Sequence, residues 1–399
     1  MIYIISLDFC IFARKILLSM QFNKIIGQKD IIARFINTVK TGRISHAQLL
    51  HGTEGSGKLE LAIAFAQYVS CKNRTETDSC GECSSCKKYE KLIHPDLHFV
   101  FPVVRSSKFS KPVSDNYIDE WRTFILERKK HRLGNWLDFI GNENAQAGIF
   151  AHEASEIIKK LNLKTFEAEY KIMIIWLPEK MNLSSANKLL KMIEEPPQKT
   201  LFLMVSDYPE QIINTIRSRS QFVRIPKIDD QSLYKALAET YSLPENELKR
   251  IVKLSNGNYF KALDVIEESE NEKHNFELFV RLMRLAYAAK IIELTQWVDE
   301  VSELGRERQK NFLAYVLRMI RENFILNKVP NEKDNLNHFT IEEENFSIKF
   351  STFIHENNIF DINEEINKAY LHIERNGMDK VIFLDFALKL VKLLRRKAA

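Results

Sequence analysis

The sequence predicts an α/β protein built on a doubly wound parallel sheet, with helical segments after it. Helical and strand periodicities alternate from residue 20 to about residue 226, which is typical of parallel strands joined by helices. Residues 171–177 are apolar with little alternation, as expected for a parallel strand covered on both faces. A glycine-rich turn at residues 52–58 separates a predicted strand from a predicted helix. This order is typical of a loop that binds phosphate.

Size and composition set broad limits on function. The chain has 399 residues, of which 45% are hydrophobic and 28% are charged, so it can form two or three ordinary globular domains. The net charge of +5 permits a nucleic-acid partner without indicating one. No stretch is long and apolar enough to span a bilayer, so we expect no membrane partner.

The first nineteen residues are apolar in patches that Asp8, Arg14 and Lys15 interrupt. No small-residue cleavage site follows them, which argues against a secretory signal. Met20 opens a stretch that resembles an ordinary start. We expect residues 1–19 to be an extension from an upstream start codon or a disordered leader.

The glycine-rich turn supplies the first candidate site. Gly52, Gly57 and Lys58 match the G-x-x-x-x-G-K part of a phosphate-binding loop, and Gly55 lies inside it. Such a loop turns backbone N–H groups toward phosphates, and its lysine neutralises them. The next residue is Leu59, where a magnesium site needs a hydroxyl. The pattern therefore indicates a nucleotide pocket without hydrolysis, and the alternative is a glycine-rich turn that binds no phosphate.

Four of the five cysteines form the second candidate site, and the fifth, Cys10, lies in the leader. The spacing C-x₈-C-x₂-C-x₂-C suits four thiolates around one tetrahedral zinc ion. A disulfide pair and an iron–sulfur cluster are the alternatives, although the cysteine-proline pair common in cluster ligand runs is missing. A zinc ion held by four thiolates has no open position and is structural. The predicted ligands are Cys71, Cys80, Cys83 and Cys86.

The other elements of the α/β part follow from periodicity and from proline and glycine positions. Residues 105–150 lack a strand pattern and form an insertion whose aromatic residues indicate helical turns, and the sequence assigns it no task. We predict one helix that contains residues 31–39 and stops at Gly42, helices at 59–69 and 153–161, and one that Ser184 or Ser185 caps and that ends at Pro196. Strands are predicted at 47–50, 97–104, 171–177, 200–206 and 222–225.

The remainder is predicted to be helical. Residues 227–272 form a small helical unit, and residues 273–399 form an all-helical segment without a glycine-rich or acidic constellation. The last helix, near residues 383–394, is apolar around most of its circumference. Such a helix is either deep in its own domain or shared with a neighbouring chain, and we expect an assembly interface.

Three motifs make the resemblance to a family specific. Residues 187–197, NKLLKMIEEPP, are similar to the helix after the second nucleotide-binding strand in clamp-loader subunits. Ser218, Arg219 and Ser220 are similar to the Ser-Arg-Cys motif of that family, and the cysteine module follows the phosphate loop as it does there. The chain thus resembles the delta-prime family of bacterial DNA polymerase III clamp-loader subunits, within the AAA+ ATPases. The resemblance covers residues 20–270 well and the rest only by order and length.

The chain departs from the active members of this family at four positions. Counting back from Asn187, the two acidic residues that handle magnesium and water fall at Trp176 and Leu177. Phe260 stands where active relatives have a sensing arginine, and Leu59 replaces the magnesium-binding hydroxyl. Phosphoryl transfer would then lack metal, base and sensor. We expect no ATP hydrolysis by the isolated chain, whereas static binding of ATP or ADP stays open.

The resemblance gives one residue a catalytic role in trans. Arg219 occupies the motif from which these subunits present an arginine finger to the nucleotide of the next subunit. The alternative is that Arg219 is a solvated arginine at a strand edge without a role in catalysis. By this resemblance, residues 20–226 form an AAA+ domain with a zinc module at 71–86. Residues 227–272 form a helical lid, and residues 273–399 form a helical collar that joins subunits.

The resemblance implies a non-hydrolysing subunit of a cytoplasmic clamp loader. Its partners would be gamma/tau and delta subunits in a hetero-oligomeric ring, and the sliding clamp and primed DNA through that ring. A gamma/tau-like motor subunit that hydrolyses ATP is the first rival. A stand-alone zinc-bearing nucleic-acid-binding module is the second, but the basic residues are dispersed and the aromatic residues fit a core.

Overall fold

The computed structural model describes residues 20–106, 109–142, 145–328 and 339–397. The predicted leader, residues 1–19, lies outside these residues, as does Cys10. Contacts between residues divide the chain into two compact units, Met1–Val265 and Ile266–Ala399.

The first unit alternates helices and strands in the predicted way. Its elements, in chain order, are α1 (Lys29–Lys40), β1 (Ala47–His51), α2 (Lys58–Ser70), α3 (Ser84–Tyr89), β2 (Leu97–Val100), α4 (Ile118–Glu127), α5 (Leu133–Phe139), α6 (Ala151–Asn162), β3 (Lys171–Trp176), α7 (Leu183–Glu194), β4 (Thr200–Ser206), α8 (Asn214–Arg217), β5 (Gln221–Arg224), α9 (Asp230–Thr240), α10 (Glu245–Ser255) and the start of α11 (Tyr259–Ala288).

The five strands of the described residues form one parallel sheet in the order β2-β3-β4-β1-β5. Successive residues of β3 point to opposite faces, because Ile172 and Ile174 belong to one apolar cluster and Met173 and Ile175 to another. Helix α2 covers the first face, and α6 and α7 cover the second. The predicted doubly wound parallel sheet is confirmed.

Two predicted strands differ from the observed ones at their ends. Strand β2 stops at Val100, although residues 101–104 are also buried. Their apolar character reflects core packing, and Val103 forms only an isolated bridge with Gly148. Strand β3 ends at Trp176, because Leu177 adopts a φ of 54° that breaks the extended conformation.

The insertion at residues 105–150 is part of the core of the first unit. Helices α4 and α5 carry Trp121 and Trp136, which are both fully buried. The ring of Trp121 lies 5.4 Å from that of Trp136 and 5.1 Å from that of Trp176 on β3. The aromatic residues of the insertion therefore cover the sheet, and the two tryptophans contribute large buried apolar surfaces to this packing.

Residues after β5 form a helical segment, α9, α10 and the first turns of α11. Leu233 and Leu237 of α9 and Ile251 and Val252 of α10 are buried. The predicted lid, residues 227–272, and its boundary with the predicted collar stay predictions. The observed division between the two units falls at residues 265 and 266, inside α11.

The second unit is helical in its described residues. After α11 it contains α12 (Ile291–Ser302), α13 (Arg306–Lys328), α14 (Ile341–Phe350), α15 (Ile359–Glu374) and α16 (Asp379–Leu393). Its core includes Trp297, Phe312 and Ile366.

The last helix, α16, is apolar mainly because it is buried in its own unit. The residues it contributes to that core are Phe383, Phe386, Ala387, Leu390 and Leu393. Val381 and Leu388 remain exposed. Burial within the unit thus explains most of the pattern from which we expected an assembly interface. Among the described residues, no helix combines the length and the hydropathy needed to cross a bilayer.

Candidate functional site: a phosphate loop, a cysteine cluster and an exposed arginine

The phosphate loop joins β1 to α2 and is held tightly against its surroundings. A Cβ atom on Gly52 would lie 2.2 Å from the carbonyl oxygen of Ile225, so only glycine fits there. Gly55 has a φ of +67°, and its carbonyl oxygen accepts a hydrogen bond from the N–H of Tyr259 at 3.0 Å. The loop therefore has the predicted strand–turn–helix context, and residues after α10 contact it directly.

Lys58, the lysine of the loop, is 5% exposed and points back toward its own loop. Its Nζ donates to the carbonyl oxygens of Gly52 at 3.0 Å and Thr53 at 2.6 Å. It also pairs with Asp207 Oδ1 at 2.8 Å. An ammonium group has three protons to donate, and these three acceptors account for all of them.

Apolar, buried side chains occupy the four positions at which the resemblance predicts that the magnesium, base and sensor groups are missing. Leu59, Trp176 and Leu177 are all at most 5% exposed and belong to the core of the first unit. Phe260 is 6% exposed. None of these four side chains has an oxygen that could bind a metal ion.

Asp207 is the residue at this site that sequence reasoning missed. It directly follows β4, the strand that pairs with β1 in the sheet. Ligand-binding residues of parallel α/β sheets gather at the carboxyl ends of strands, so its position after a predicted strand was a usable signal. Its pairing with Lys58 was not visible, because no motif joins the two residues.

The four predicted zinc ligands come together in the structure. The Sγ atoms of Cys71, Cys80, Cys83 and Cys86 all lie within 4.8 Å of one another, and those of Cys71 and Cys80 are 3.5 Å apart. A tetrahedral zinc ion with Zn–S distances of about 2.3 Å would place its sulfurs about 3.8 Å apart. The donor set and its spacing therefore fit one tetrahedral metal ion.

Backbone N–H groups around the cluster favour thiolates. The N–H of Cys80 donates to Cys71 Sγ at 3.3 Å, and the N–H of Cys86 donates to Cys83 Sγ at 3.5 Å. Although burial opposes ionisation of Cys83, hydrogen bonds from the N–H groups of Cys86 and Lys72 lower its pKa to about 6. Burial raises the pKa of the Cys71 and Cys86 thiols, because it disfavours the charged thiolates. A bound cation would offset this effect of burial.

Residues beside the cluster tie it to the start of the described chain. Both oxygens of Asp78 accept backbone hydrogen bonds, from the N–H of Phe22 at 3.0 Å and of Asn23 at 2.9 Å. Gln67 of α2 donates to Ser79 Oγ at 2.9 Å. These hydrogen bonds connect the cysteine loop to residues 22 and 23 and to α2.

Arg219 lies at the surface just after α8 and is 39% exposed. Its Nε pairs with Glu194 Oε1 at the end of α7, and its Nη1 donates to the carbonyl oxygen of Thr215 at 3.0 Å. These contacts orient the guanidinium group without burying it. Arg219 is therefore available to a group outside this chain.

Comparison with known proteins gives a consistent picture. Residues 27–229 match the protein family described as DNA polymerase III, delta subunit. DNA polymerase III subunit gamma of Buchnera aphidicola subsp. Acyrthosiphon pisum (strain APS) is 27% identical over 255 residues, which cover 63% of this chain and 59% of that protein. Subunit delta' of Bacillus subtilis (strain 168) is 24% identical over 243 residues, covering 61% of this chain and 60% of that protein.

These matches span less than two thirds of either relative. A solved structure of a DNA polymerase III gamma-subunit-related protein from Thermotoga maritima is 14% identical, with a TM-score of 0.36, and covers 92% of this chain and all of that one. A TM-score this low bears on no conclusion about the fold, which rests on the sheet order described above.

Proposed function

The chain belongs to the DNA polymerase III delta subunit family, and we propose that it acts in the replicative clamp loader as a subunit that does not hydrolyse ATP. In this role it offers Arg219 to the nucleotide held by a neighbouring ATPase subunit. The complex then opens the sliding clamp and places it on primed DNA. This is the delta-prime role within the clamp loader.

The contrast between two cations carries the proposal. Lys58, which would bind phosphate in an active loop, is 5% exposed and donates to acceptors of its own chain. Arg219 is 39% exposed and stays near the surface. A cation that acts on the nucleotide of another subunit must remain accessible, whereas one that serves its own pocket need not. The accessible cation here is Arg219.

The test is the DNA-stimulated ATPase of a reconstituted clamp loader. Replacing Arg219 by Ala removes the finger, and such a group contributes about 10³–10⁵ in rate at the site it serves. We expect ATP hydrolysis at that one site to be lost, and the total ATPase rate to fall by the fraction that this site contributes. Arg219→Lys should rescue it poorly, because a lysine cannot reproduce the planar fork of a guanidinium group.

Arg224 offers a matched control, because it is an exposed arginine on the neighbouring β5. Arg224→Ala should leave the ATPase rate unchanged. An Arg219→Ala complex that assembles and hydrolyses ATP at the normal rate would exclude the finger role.

Zinc is the metal proposed for the cysteine cluster. Four thiolates with no open coordination position suit a structural zinc ion, which would stabilise the loop between α2 and α3 and take no part in chemistry. Bound ATP or ADP is proposed only as a static ligand, since the loop keeps its glycines but lacks groups that hold magnesium.

A gamma-like motor subunit is the second candidate, because gamma subunits are among the relatives. It predicts magnesium-dependent ATP turnover by the isolated chain. The proposed role predicts no turnover by the chain alone and co-purification with gamma/tau and delta subunits from the cytoplasm.

A further inference from the structure

A short basic segment of the insertion bridges the phosphate loop and the helices that follow the sheet. Residues 129–132, Lys-Lys-His-Arg, lie between α4 and α5 and are called the basic bridge here. Arg132 Nε pairs with Glu54 Oε2 of the phosphate loop at 3.0 Å. Its Nη1 pairs with Asp264 Oδ2 of α11 at 2.7 Å. One guanidinium group thus contacts both the loop and α11.

The other residues of the basic bridge add contacts to the same elements. Lys130 Nζ pairs with the second oxygen of Asp264 at 2.9 Å. His131 Nδ1 lies 2.6 Å from Glu60 Oε1 on α2. Lys129 Nζ donates to Tyr241 Oη, after α9, at 3.1 Å. Four consecutive side chains therefore join the insertion to α2, the phosphate loop, α11 and Tyr241.

These contacts are partly shielded from water, which distinguishes them from ordinary surface ion pairs. The side chains of Lys130 and Arg132 are 17% and 24% exposed, and that of Asp264 is 32% exposed. The guanidinium carbon of Arg132 lies 5.5 Å from the ring centre of Phe260. Burial opposes ionisation of Asp264, but hydrogen bonds from Lys130 and Arg132 outweigh it and lower its pKa.

The segment that the basic bridge holds is also the segment that contacts the phosphate loop. The N–H of Tyr259 donates to the carbonyl oxygen of Gly55 at 3.0 Å. A Cβ atom on Gly55 would lie 2.0 Å from the side-chain Oδ1 of Asn258 and 3.0 Å from the backbone N of Phe260, so residues 258–260 approach the loop closely. Asp264 lies five residues further along the same chain segment.

We infer that the basic bridge is an internal tether, which holds residues 256–264 against the phosphate loop. Asp264 is the positioning residue of this tether, because both of its oxygens are paired. The inference deepens the proposed function, since a subunit that does not hydrolyse ATP needs another means to keep its helical segment in place. It also gives the insertion a task.

The charges at the loop are paired within the chain. Lys58 is paired with Asp207, and Arg132 is shared by Glu54 and Asp264. These cations thus already face carboxylates, so an incoming phosphate would have to compete with them. The helical segment is held by the protein's own carboxylates and cations.

Hydrogen exchange of the full-length chain, without partners or nucleotide, tests the inference. Asp264→Asn removes the charge that Lys130 and Arg132 share while keeping the shape of the side chain. We expect amide exchange in residues 256–264, including the N–H of Tyr259, to accelerate by about tenfold or more. In the variant, local opening of this segment no longer has to break the ion pairs of Asp264 with Lys130 and Arg132. Asp264→Glu should restore most of the protection.

Glu169→Gln is the matched control, because it breaks an exposed ion pair with Lys199 in the same unit. It should leave exchange in residues 256–264 unchanged. Unchanged exchange in Asp264→Asn would overturn the inference. Acceleration spread evenly over the first unit would also overturn it, because it would indicate general destabilisation rather than a tether.

Salt provides a second measurement that needs no variant. Raising the ionic strength weakens partly exposed ion pairs, so exchange in residues 256–264 of the unmodified chain should accelerate more than exchange in β3 and β4. Equal responses would contradict the tether even if a variant fails to fold. The arginine-finger test uses the assembled complex and its ATPase rate, so either proposal can fail without the other.

Discussion

Helix α2 has a candidate binding site at each end. The two sites differ in whether their charged groups are paired with other groups of the chain. At its first residue, Lys58 donates to two loop carbonyls and to Asp207. At its other end, Cys71 caps the helix and begins the cysteine cluster. The lysine of the phosphate loop is paired with groups of its own chain, whereas the four converging thiols are proposed to bind a cation from outside.

The comparison teaches that a motif predicts the shape of a site but not its occupancy. The glycines and the lysine have the spacing of a phosphate loop. The lysine, Lys58, is nevertheless paired with Asp207, a carboxylate that follows β4 and is far away in sequence. At the cysteine cluster, by contrast, backbone N–H groups donate to the sulfur atoms and favour thiolates. Changes at the cysteine end should therefore have larger effects on stability than changes at the lysine end.

The largest effect is expected from loss of the metal. Cys86 is fully buried, and Cys86→Ser removes one of the four ligands of the proposed zinc ion, whose binding would contribute folding free energy. We expect zinc content to fall from about one ion per chain to well below that, and the free energy of unfolding of the first unit to drop by about 3 kcal/mol or more. Metal analysis and denaturant unfolding measure the two quantities.

Cys10→Ser is the control for this prediction, because Cys10 is the fifth cysteine and lies outside the predicted ligand spacing and outside the described residues. It should retain the metal and the stability of the unmodified chain. A Cys86→Ser protein with full zinc content and unchanged stability would remove the distinction between the two ends of α2.

A smaller effect is expected at the lysine. Lys58→Met keeps the aliphatic stem but leaves Asp207 without its cation and two carbonyls without a donor. Because Asp207 is 24% exposed, water compensates in part, and we expect a loss of about 1–3 kcal/mol in the free energy of unfolding. The double variant Lys58→Met with Asp207→Asn should recover part of this loss in a double-mutant cycle.

Nucleotide binding is the counter-test for Lys58. If Lys58→Met leaves stability unchanged but abolishes ATP binding by the chain, then the lysine serves a ligand and not Asp207. The two ends of α2 would then be alike, both depending on a partner from outside.

The smallest effect is expected at Glu153, a buried carboxylate outside both sites. Its Oε2 accepts a hydrogen bond from the N–H of Ser114 at 2.6 Å, but burial raises its pKa from 4.5 to about 7. Below pH 4.5 the group is neutral in both the folded and the unfolded state. As the pH rises toward 7, the unfolded state loses its proton first, so this group reduces stability.

Glu153→Gln removes that penalty. The difference between a pKa of 4.5 and one of about 7 sets an upper limit of about 3 kcal/mol on this penalty. Because the amide of Gln reproduces the protonated carboxyl group only in part, we expect the free energy of unfolding to rise by about 1–2 kcal/mol at pH 8, and the gain to vanish below about pH 4. Denaturant unfolding at several pH values measures this. A gain that does not depend on pH would show that ionisation of Glu153 is not its cause.

The sequence predicted the parts of the fold that depend on local pattern. The apolar run at residues 171–177 became β3, the run at residues 200–206 became β4, and the four cysteines converged. Period and spacing carry these features, because each is fixed within a short stretch of chain. The prediction that the strand extends over residues 101–104 was wrong, because apolar residues can be buried in a core without belonging to a strand.

The features that were not predicted depend on pairs of residues far apart in the chain. Asp207 is 149 positions from Lys58 and Asp264 is 132 from Arg132, as their numbers show. A single sequence carries no signal for such pairs, and only the sheet order and the packing of the insertion bring them together. The exposure of Arg219 and its contact with Glu194 likewise follow from tertiary structure.

The packing of the insertion against β3 has an optical consequence. Three of the four tryptophans, Trp121, Trp136 and Trp176, lie in one cluster in the first unit, and Trp297 is alone in the second. Indole rings this close couple electronically through their strong far-ultraviolet transitions, so the far-ultraviolet circular dichroism of the first unit should contain an exciton signal. Intrinsic fluorescence can therefore follow the melting of that unit without any added dye.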